Sequence, residues 1–321
     1  MTADLSIIII SYNTNEITKR CLDTIVLSLN KADFNIELIV LDNASTDGSV
    51  DMLSTYRLED TANKIQDTPR RSASYAGHAK NNSITLKTIF SKENLGFGKG
   101  NNKAVKEASA PILLFLNSDT ETLDNAIEDL YSYFMSSEND YNVVGAKLIE
   151  KDRITPQASC GPEFTLLNIF LFLFLRGDYL GITRYSPDSI KTVDWVSGAC
   201  FMMKRQDYDS LSGFDEKIFL YMEEIDLFHR ARGQRMKIGF FPKSKFIHLG
   251  SASSQKRTQP ILQVYKGYIY YYKKHFSPIH LYFLKFLLQL KAIGALILGK
   301  VTNNAYLTET YEEALKIAKL G

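Results

Sequence analysis

Pro111-Ile112-Leu113-Leu114-Phe115-Leu116-Asn117-Ser118-Asp119 is the stretch on which the fold of this chain turns. An apolar run of strand length that stops abruptly at an amide, a hydroxyl and a carboxylate predicts a buried strand whose C-terminal end delivers Asp119 to a crevice. A second acidic group, Tyr221-Met222-Glu223-Glu224-Ile225-Asp226, follows much later in the chain. The first can hold a metal diphosphate; the second can take a proton.

Outward from that strand, the first half alternates β-rich apolar runs at 5–10, 36–41, 85–90 and 143–149 with helical patterns at 16–28, 48–56, 100–109 and 123–135. This rhythm predicts an α/β fold, a Rossmann-like, mostly parallel sheet with helices on both faces. The polar segment 60–83 reads as a surface loop or insertion. Farther on, 193–203, 237–241 and 245–248 read as strands and 223–232 as a helix.

After Pro260 the pattern changes to two helices, 261–276 and 279–298, rich in Tyr, Phe, Leu and Ile interleaved with Lys. The division expected is a catalytic domain at 1–255 and a basic, aromatic helical region at 256–321. Lys285 and Lys291 lie in the longest apolar stretch, and each would cost roughly 2.5 to 3.5 kcal/mol at the centre of a spanning helix. An interfacial helix is therefore favoured over a spanning one, with packing on the main domain or a homodimer contact as the alternative. The apolar segment 164–175 is too short to span and is interrupted by Asn168. It reads as a buried helix or a membrane-dipping acceptor loop.

A chain of 321 residues that is 45% hydrophobic buries a substantial core. The net charge of +2 hides a segregation, because 227–308 carries fourteen Lys or Arg and neither Asp nor Glu. That region is too apolar for a phosphate-tracking surface, so nucleic acid is not an expected partner. Cys21, Cys160 and Cys200 are far apart and lack metal-ligand spacing, which fits a reducing cytoplasmic compartment. The N-terminal residues lack a basic segment before the apolar run, so 7–10 reads as a first strand and not as a signal peptide.

Ser11-Tyr12-Asn13 and Asp42-Asn43 follow the first two strands, where ligands of open α/β sheets bind. A carboxylate and an amide there can pair with a pyrimidine base and its ribose; turn and cap roles for Asp42 and Asp47 are the competing reading. Asn94-Leu95-Gly96-Phe97-Gly98 through Asn101 is a Gly-rich turn opening a helix, suited to phosphate or ribose or simply to a tight turn. It lacks the third Gly of a dinucleotide fingerprint. Asn117, Ser118 and Asp119 suit a hard divalent cation bridging two phosphates, or a helix cap, and His248 at a strand end can add an imidazole. Crowded carboxylates at Glu223 and Glu224 raise the proton affinity of one of them, although acids also simply favour a helix start. Trp195 and Gly198, in Trp195-Val196-Ser197-Gly198-Ala199, can line an acceptor pocket.

Together and in this order these motifs resemble the inverting family 2 glycosyltransferases of the GT-A fold, most closely the rhamnosyltransferase-like branch. Gly213-Phe214-Asp215-Glu216 belongs to the same pattern, which covers roughly 5–252. The resemblance implies that Asp42 reads the base and that Asn117-Ser118-Asp119 stands in for the Asp-x-Asp metal motif, with Asn117 in place of its first Asp. It implies that His248 completes a site for Mg2+ or Mn2+. The family's usual Glu-Asp pair is here Glu223-Glu224, so Glu224 inherits the role of general base and Glu223 joins Trp195 and Gly198 on the acceptor side.

The activity so implied is inverting, metal-dependent transfer of a sugar, with L-rhamnose from dTDP-rhamnose as the leading donor. The implied acceptor is a polyprenyl-diphosphate-linked saccharide for cell-surface polysaccharide, met by a cytoplasmic enzyme peripheral on the inner face of the membrane. The basic, aromatic C-terminal region would dock on an anionic membrane surface. A nucleotidyltransferase of similar fold would carry a basic Gly-rich loop where this chain has Ser11-Tyr12-Asn13. A non-catalytic sugar-nucleotide-binding protein would not need Asp119 and Glu224.

Overall fold

Strands Leu5–Ser11 (β1), Ile36–Asp42 (β2), Ile84–Phe90 (β3) and Ile112–Asn117 (β4) lie side by side in the order β3-β2-β1-β4, all parallel. They belong to a computed structural model that describes residues 2–29, 32–58, 83–250 and 258–321. Helices Asn15–Ser28 (α1), Ser49–Thr55 (α2) and Phe97–Val105 (α3) follow their strands as crossovers would require. Because the strands are parallel and in register, Ser11 sits beside Asp42 and Ile10 beside Asn117, so three loops open at one sheet edge. The expected segment 60–83 falls, but for Ser83, outside the described residues.

Beyond β4 the sheet becomes mixed. Cys200–Lys204 (β10) pairs antiparallel with β4 and with Val143–Ile149 (β6), and β6 runs parallel to Ile238–His248 (β11). The far end of β11 pairs antiparallel with the short strand Thr120–Thr122 (β5) in the register His248↔Thr120. Helix Ala126–Met135 (α4) begins only after β5, so Asp119 caps no helix. The two strands expected at 237–241 and 245–248 are one strand whose register shifts between Phe241 and Lys245.

The single strand expected at 193–203 is instead three: Lys191–Val193 (β8), Trp195–Val196 (β9) and β10. Strand β8 pairs with β11, whereas β9 pairs with Cys160–Gly161 (β7) in a separate two-stranded sheet. Ser197 and Gly198 are the break between β9 and β10, and it lies beside the candidate site.

Strand alternation builds two cores, one on each sheet face. Ile7, Ile9, Leu114 and Leu116 face α1 and α4, while Ile8, Leu113 and Phe115 face α3 and the C-terminal helices. Each such side chain is fully or almost fully buried and contributes about 1.5–3 kcal/mol relative to exposure.

Helices Leu166–Leu175 (α5), Arg205–Ser210 (α6) and Glu223–Gly233 (α7) precede three C-terminal helices: Thr258–His275 (α8), Pro278–Val301 (α9) and Ala305–Leu320 (α10). The last was not expected from the sequence. Helix α8 packs on the sheet, since Leu262, Tyr265, Tyr268, Tyr271 and Tyr272 join the same core as Phe115 and Phe201. Lys285 and Lys291 are also not free at the surface: their ammonium groups donate to Lys319 O (3.1 Å) and Leu173 O (2.9 Å), carbonyls at the ends of α10 and α5.

Candidate active site

The β1 and β2 ends form a braced rim. Asn13 accepts from Thr46 N (2.7 Å) and its own N–H donates to Ser45 Oγ (2.9 Å), which ties the two loops together. Ser11 is buried, and its hydroxyl is engaged by Thr14 and Thr18 at 3.2 and 2.9 Å, while Tyr12 beside it is half-buried. Asp42 is fully buried; one carboxylate oxygen accepts from Ser45 N (2.9 Å) and Oδ1 has no partner. A buried acceptor without a donor invites a ligand N–H or O–H.

Asn43 and Asn94, expected on the donor side, bond to each other and to the turn between them. The Asn43 amide donates to Asn94 Oδ1 (2.9 Å) and Gly96 O (3.1 Å) and accepts from Leu95 N (2.8 Å), so the pair shapes the Gly-rich turn. Gly96 has a φ of 77°, and a Cβ there would lie 2.3 Å from Phe219 O, so glycine is needed for close approach as well as conformation. Helix α3 starts at Phe97, earlier than expected, and buried Asn101 donates back to Phe97 O (2.9 Å) inside it. The tight-turn reading accounts for this motif.

At the end of β4, Asn117, Ser118 and Asp119 meet β11. The β5–β11 pairing brings His248 Nε2 to 3.3 Å from Asp119 Oδ1 and 3.5 Å from Asn117 Nδ2. Ser118 is buried, with its Oγ 3.4 Å from Thr14 Oγ1. Gln157 holds the imidazole from behind: His248 Nδ1 lies 2.9 Å from Gln157 Oε1, and Gln157 Nε2 donates to His248 O at 2.7 Å. With Nδ1–H donating to the glutamine, Nε2 presents its lone pair toward Asp119. The buried Asn117 Oδ1 has no partner. One carboxylate, one imidazole and one unpaired amide oxygen make a donor set that fits Mg2+ or Mn2+, with the remaining positions left to phosphate and water.

The other acidic group sits at the start of α7. Tyr221 and Met222 are both left-handed, with φ of 67° and 78°, a conformation that costs non-glycine residues of order 1–3 kcal/mol each. This turn aims the first residues of α7 into a cavity. Glu223 is buried with Oε1 unpartnered, and burial, then the neighbouring Glu224, pushes its carboxyl well above the usual range. Burial also raises Glu224, but its own N–H, the Arg184 guanidinium and the N–H groups of Gly198 and Ile225 favour its anion. Glu224 is therefore the member of the pair that gives up its proton first. Asp226 turns away, with Arg230 (2.8 Å), Lys274 and His275 (both 2.7 Å) around it, and anchors α8 to α7.

The cavity, about 320 Å3, brings together Asn117, His248, Trp195, Gly198, Glu223 and Glu224. Asp42, Ser11, Tyr12, Asn13 and Asn101 are not on its wall, and lie instead along the β1, β2 and α3 rim. Trp195 donates from Nε1 to Pro162 O (2.8 Å), which fixes its ring as a wall. Gly198 lies against Glu224, whose side chain is 3.6 Å from where a Cβ on the glycine would stand, an ordinary van der Waals contact. Residues not singled out from the sequence complete the wall: Ile169 and Phe172 of α5, Val264 and Tyr268 of α8, and Arg184. The Arg184 guanidinium lies 5.5 Å from the Trp195 ring centre, and no carboxylate pairs with it among the described residues. Gln157 and Arg184 carry no sequence signal, since both come from irregular segments that only the fold places here.

The sheet and the helices around it make a GT-A fold. The profile of glycosyl transferase family 2 matches residues 6–210, and the chain belongs to that family. It is 29% identical over 182 residues to the low-salt glycan biosynthesis hexosyltransferase Agl10 of Haloferax volcanii, covering 55% of this chain and 56% of that one. It is 28% identical over 164 residues to the rhamnosyltransferase WbbL of Escherichia coli, covering 48% and 60%. A shorter match, 34% over 65 residues, covers 20% of this chain and 21% of the N-acetylglucosaminyl-diphospho-decaprenol L-rhamnosyltransferase of Mycobacterium tuberculosis. The chain thus spans little more than half the length of Agl10 and WbbL. The GT-A fold itself is shared with the mannosyltransferase PcManGT of Pyrobaculum calidifontis, solved with GDP-Man and Mn2+. That likeness has a TM-score of 0.56 at 13% identity and covers all of this chain and 87% of the other.

Proposed function

We propose that the protein is an inverting glycosyltransferase that moves a sugar, L-rhamnose as first choice, from a nucleoside-diphosphate donor to a polyprenyl-diphosphate-linked saccharide in surface polysaccharide synthesis. The observation that carries this reading is that Glu224 and His248 share one cavity wall, a proton acceptor at the start of α7 and a diphosphate-side group at the end of β11 reaching one space. The names of the rhamnosyltransferase relatives support the donor, and the decaprenol-linked substrate in one of them supports the acceptor.

In this mechanism the Glu224 carboxylate removes the proton from an acceptor hydroxyl as that oxygen bonds to the anomeric carbon of the donor. The bond from that carbon to the diphosphate oxygen breaks in the same displacement, which inverts the anomeric centre and releases the nucleoside diphosphate. Asp42, with its unpaired Oδ1, accepts from the base, and Trp195 and Gly198 shape the acceptor pocket. Asp119, His248 and Asn117 Oδ1 would hold Mg2+ or Mn2+, which when bound neutralises charge on the departing diphosphate. Arg184 suits the anionic diphosphate of the acceptor.

The test is a panel of nucleotide sugars, dTDP-rhamnose among them, offered with a lipid-linked GlcNAc acceptor and Mg2+ or Mn2+. Inverted product from dTDP-rhamnose is the expected result. Product from another donor alone would remove the rhamnose assignment, and absence of transfer from every donor would overturn the reading.

A further inference from the structure

Helix α9 is the largest feature that the site leaves unexplained. A seam of Leu284, Leu288, Ala292 and Gly299 packs it along its length against its neighbours α8 and α10. The opposite face exposes Ile279, Phe283, Phe286, Leu290, Ile293 and Ile297, a row at helical spacing running roughly 27 Å at 1.5 Å per residue. Phe286 is 55% and Ile297 59% exposed, more than water tolerates cheaply in a contiguous row. Apart from His280 in the first turn, the only basic or acidic side chains between Pro278 and Gly299 are Lys285 and Lys291. Both are drawn off the face to the carbonyls of Lys319 and Leu173. The lysines that seemed to argue against hydrocarbon are thus spent on helix ends.

The apolar face continues onto α5, which packs against α9 and exposes Leu167, Phe170 and Leu175. The other side of α5 presents Ile169 and Phe172 to the cavity. One short helix therefore separates the exposed apolar face from the space beside Glu224.

We propose that the α5–α9 face seats on one leaflet of an anionic bilayer, with α9 lying along the interface and not crossing it. Charge selects this occupant. Lys266 and Lys273 on α8 and Lys300 at the end of α9 are exposed, and no carboxylate pairs with them among the described residues, so this face attracts anionic headgroups and repels a second copy of itself. Crossing is disfavoured because α9 is packed against α10, whose exposed Glu312, Glu313 and Lys316 would have to enter hydrocarbon with it. On this reading a lipid-linked acceptor diffuses in the leaflet and reaches the cavity past α5. That last step rests on the proposed function; the seating does not.

The test is vesicle flotation with the full chain, which needs no turnover. Wild type is expected to float with phosphatidylglycerol vesicles and less with phosphatidylcholine. The double variant Phe286→Glu with Ile293→Glu is expected to lose roughly tenfold or more in partitioning, since two charges are placed in an apolar contact. Its thermal melt should be unchanged because both positions are solvent-exposed, and Phe170→Glu on α5 should weaken flotation independently. Wild type that stays with the soluble fraction, or a double variant that floats equally well, overturns the proposal. A wild-type dimer that binds no vesicles and becomes monomeric in the double variant assigns the face to a second copy and also overturns it.

Discussion

His248 Nε2 lies 3.3 Å from Asp119 Oδ1, across a strand pair that joins the end of β11 to the residue following the β4 loop. The imidazole is not left to choose its own orientation, because Gln157 engages both Nδ1 and the backbone carbonyl of the same histidine. Asp119, His248 and Gln157 thus form a chain in which the glutamine fixes the ring whose Nε2 faces Asp119.

Gln157→Ala should therefore weaken metal-dependent donor binding by ~10–100-fold while leaving metal-free nucleotide binding within about twofold. Titration calorimetry with and without Mn2+ separates the two. Equal losses in both titrations would mean that Gln157 supports the loop generally and not the metal-side histidine.

Glu224→Gln should cost ~10^2–10^4 in transfer while donor affinity stays close to wild type. Full transfer in that variant would remove Glu224 as base. The acid limb of kcat/KM should lie above the ordinary glutamate value of about 4.3, because burial raises the Glu224 pKa and the base form exists only above it.

Burial, then the neighbouring Glu224, pushes the Glu223 carboxyl well above the usual range, which favours its neutral form. Glu223→Gln preserves that neutral shape and should keep kcat within about threefold, whereas Glu223→Ala opens a buried space and should cost roughly 1–3 kcal/mol of stability. If Glu223→Gln instead abolished transfer, the base assignment would pass to Glu223.

Asp226 is a structural charge. It is fully buried, and its side-chain bonds to His275, Lys274 and Arg230 outweigh its burial, holding its pKa well below the usual range. A depressed folded-state pKa means that its stabilisation is complete above about pH 4, the unfolded value, and is lost as pH falls toward the folded one. Asp226→Asn should cost about 3–5 kcal/mol and flatten that acid dependence, as read by urea unfolding across pH. An unchanged midpoint would show that α8 is held by its tyrosines alone.

Arg184→Ala should raise KM for a lipid-diphosphate acceptor roughly tenfold with little change in KM for the donor, and Arg184→Lys should recover part of the loss. A matching rise in donor KM would place the guanidinium on the wrong side of the reaction.

Much of this was legible in the chain because local physics decides it. The runs at 5–10, 36–41, 112–116 and 143–149 are strands with nearly the expected limits, since each is buried along almost its whole length and apolar but for Ser6, Glu37 and Lys147. The bracing of the Gly-rich turn by Asn43 and Asn94 was not legible for an equally physical reason: an Asn after a strand looks the same whether or not its amide meets a neighbouring turn. The 193–203 run hid a break at Ser197 and Gly198 because apolar composition does not register a change of sheet.

By itself the sequence determined the parallel half-sheet, the acidic loop after β4 and the family, since these rest on contiguous apolar runs and ordered motifs. Tertiary structure alone decided which acids act together. The β5–β11 pairing delivers His248 to Asp119, and the left-handed turn at Tyr221 and Met222 swings Glu223 and Glu224 into the cavity. It also sends Asp226 to a cluster of cations and takes Lys285 and Lys291 off the apolar face. A carboxylate or an ammonium carries the same formal charge wherever it stands in the chain. Only burial and the partners the fold brings to it decide whether it binds, takes a proton or holds a helix in place.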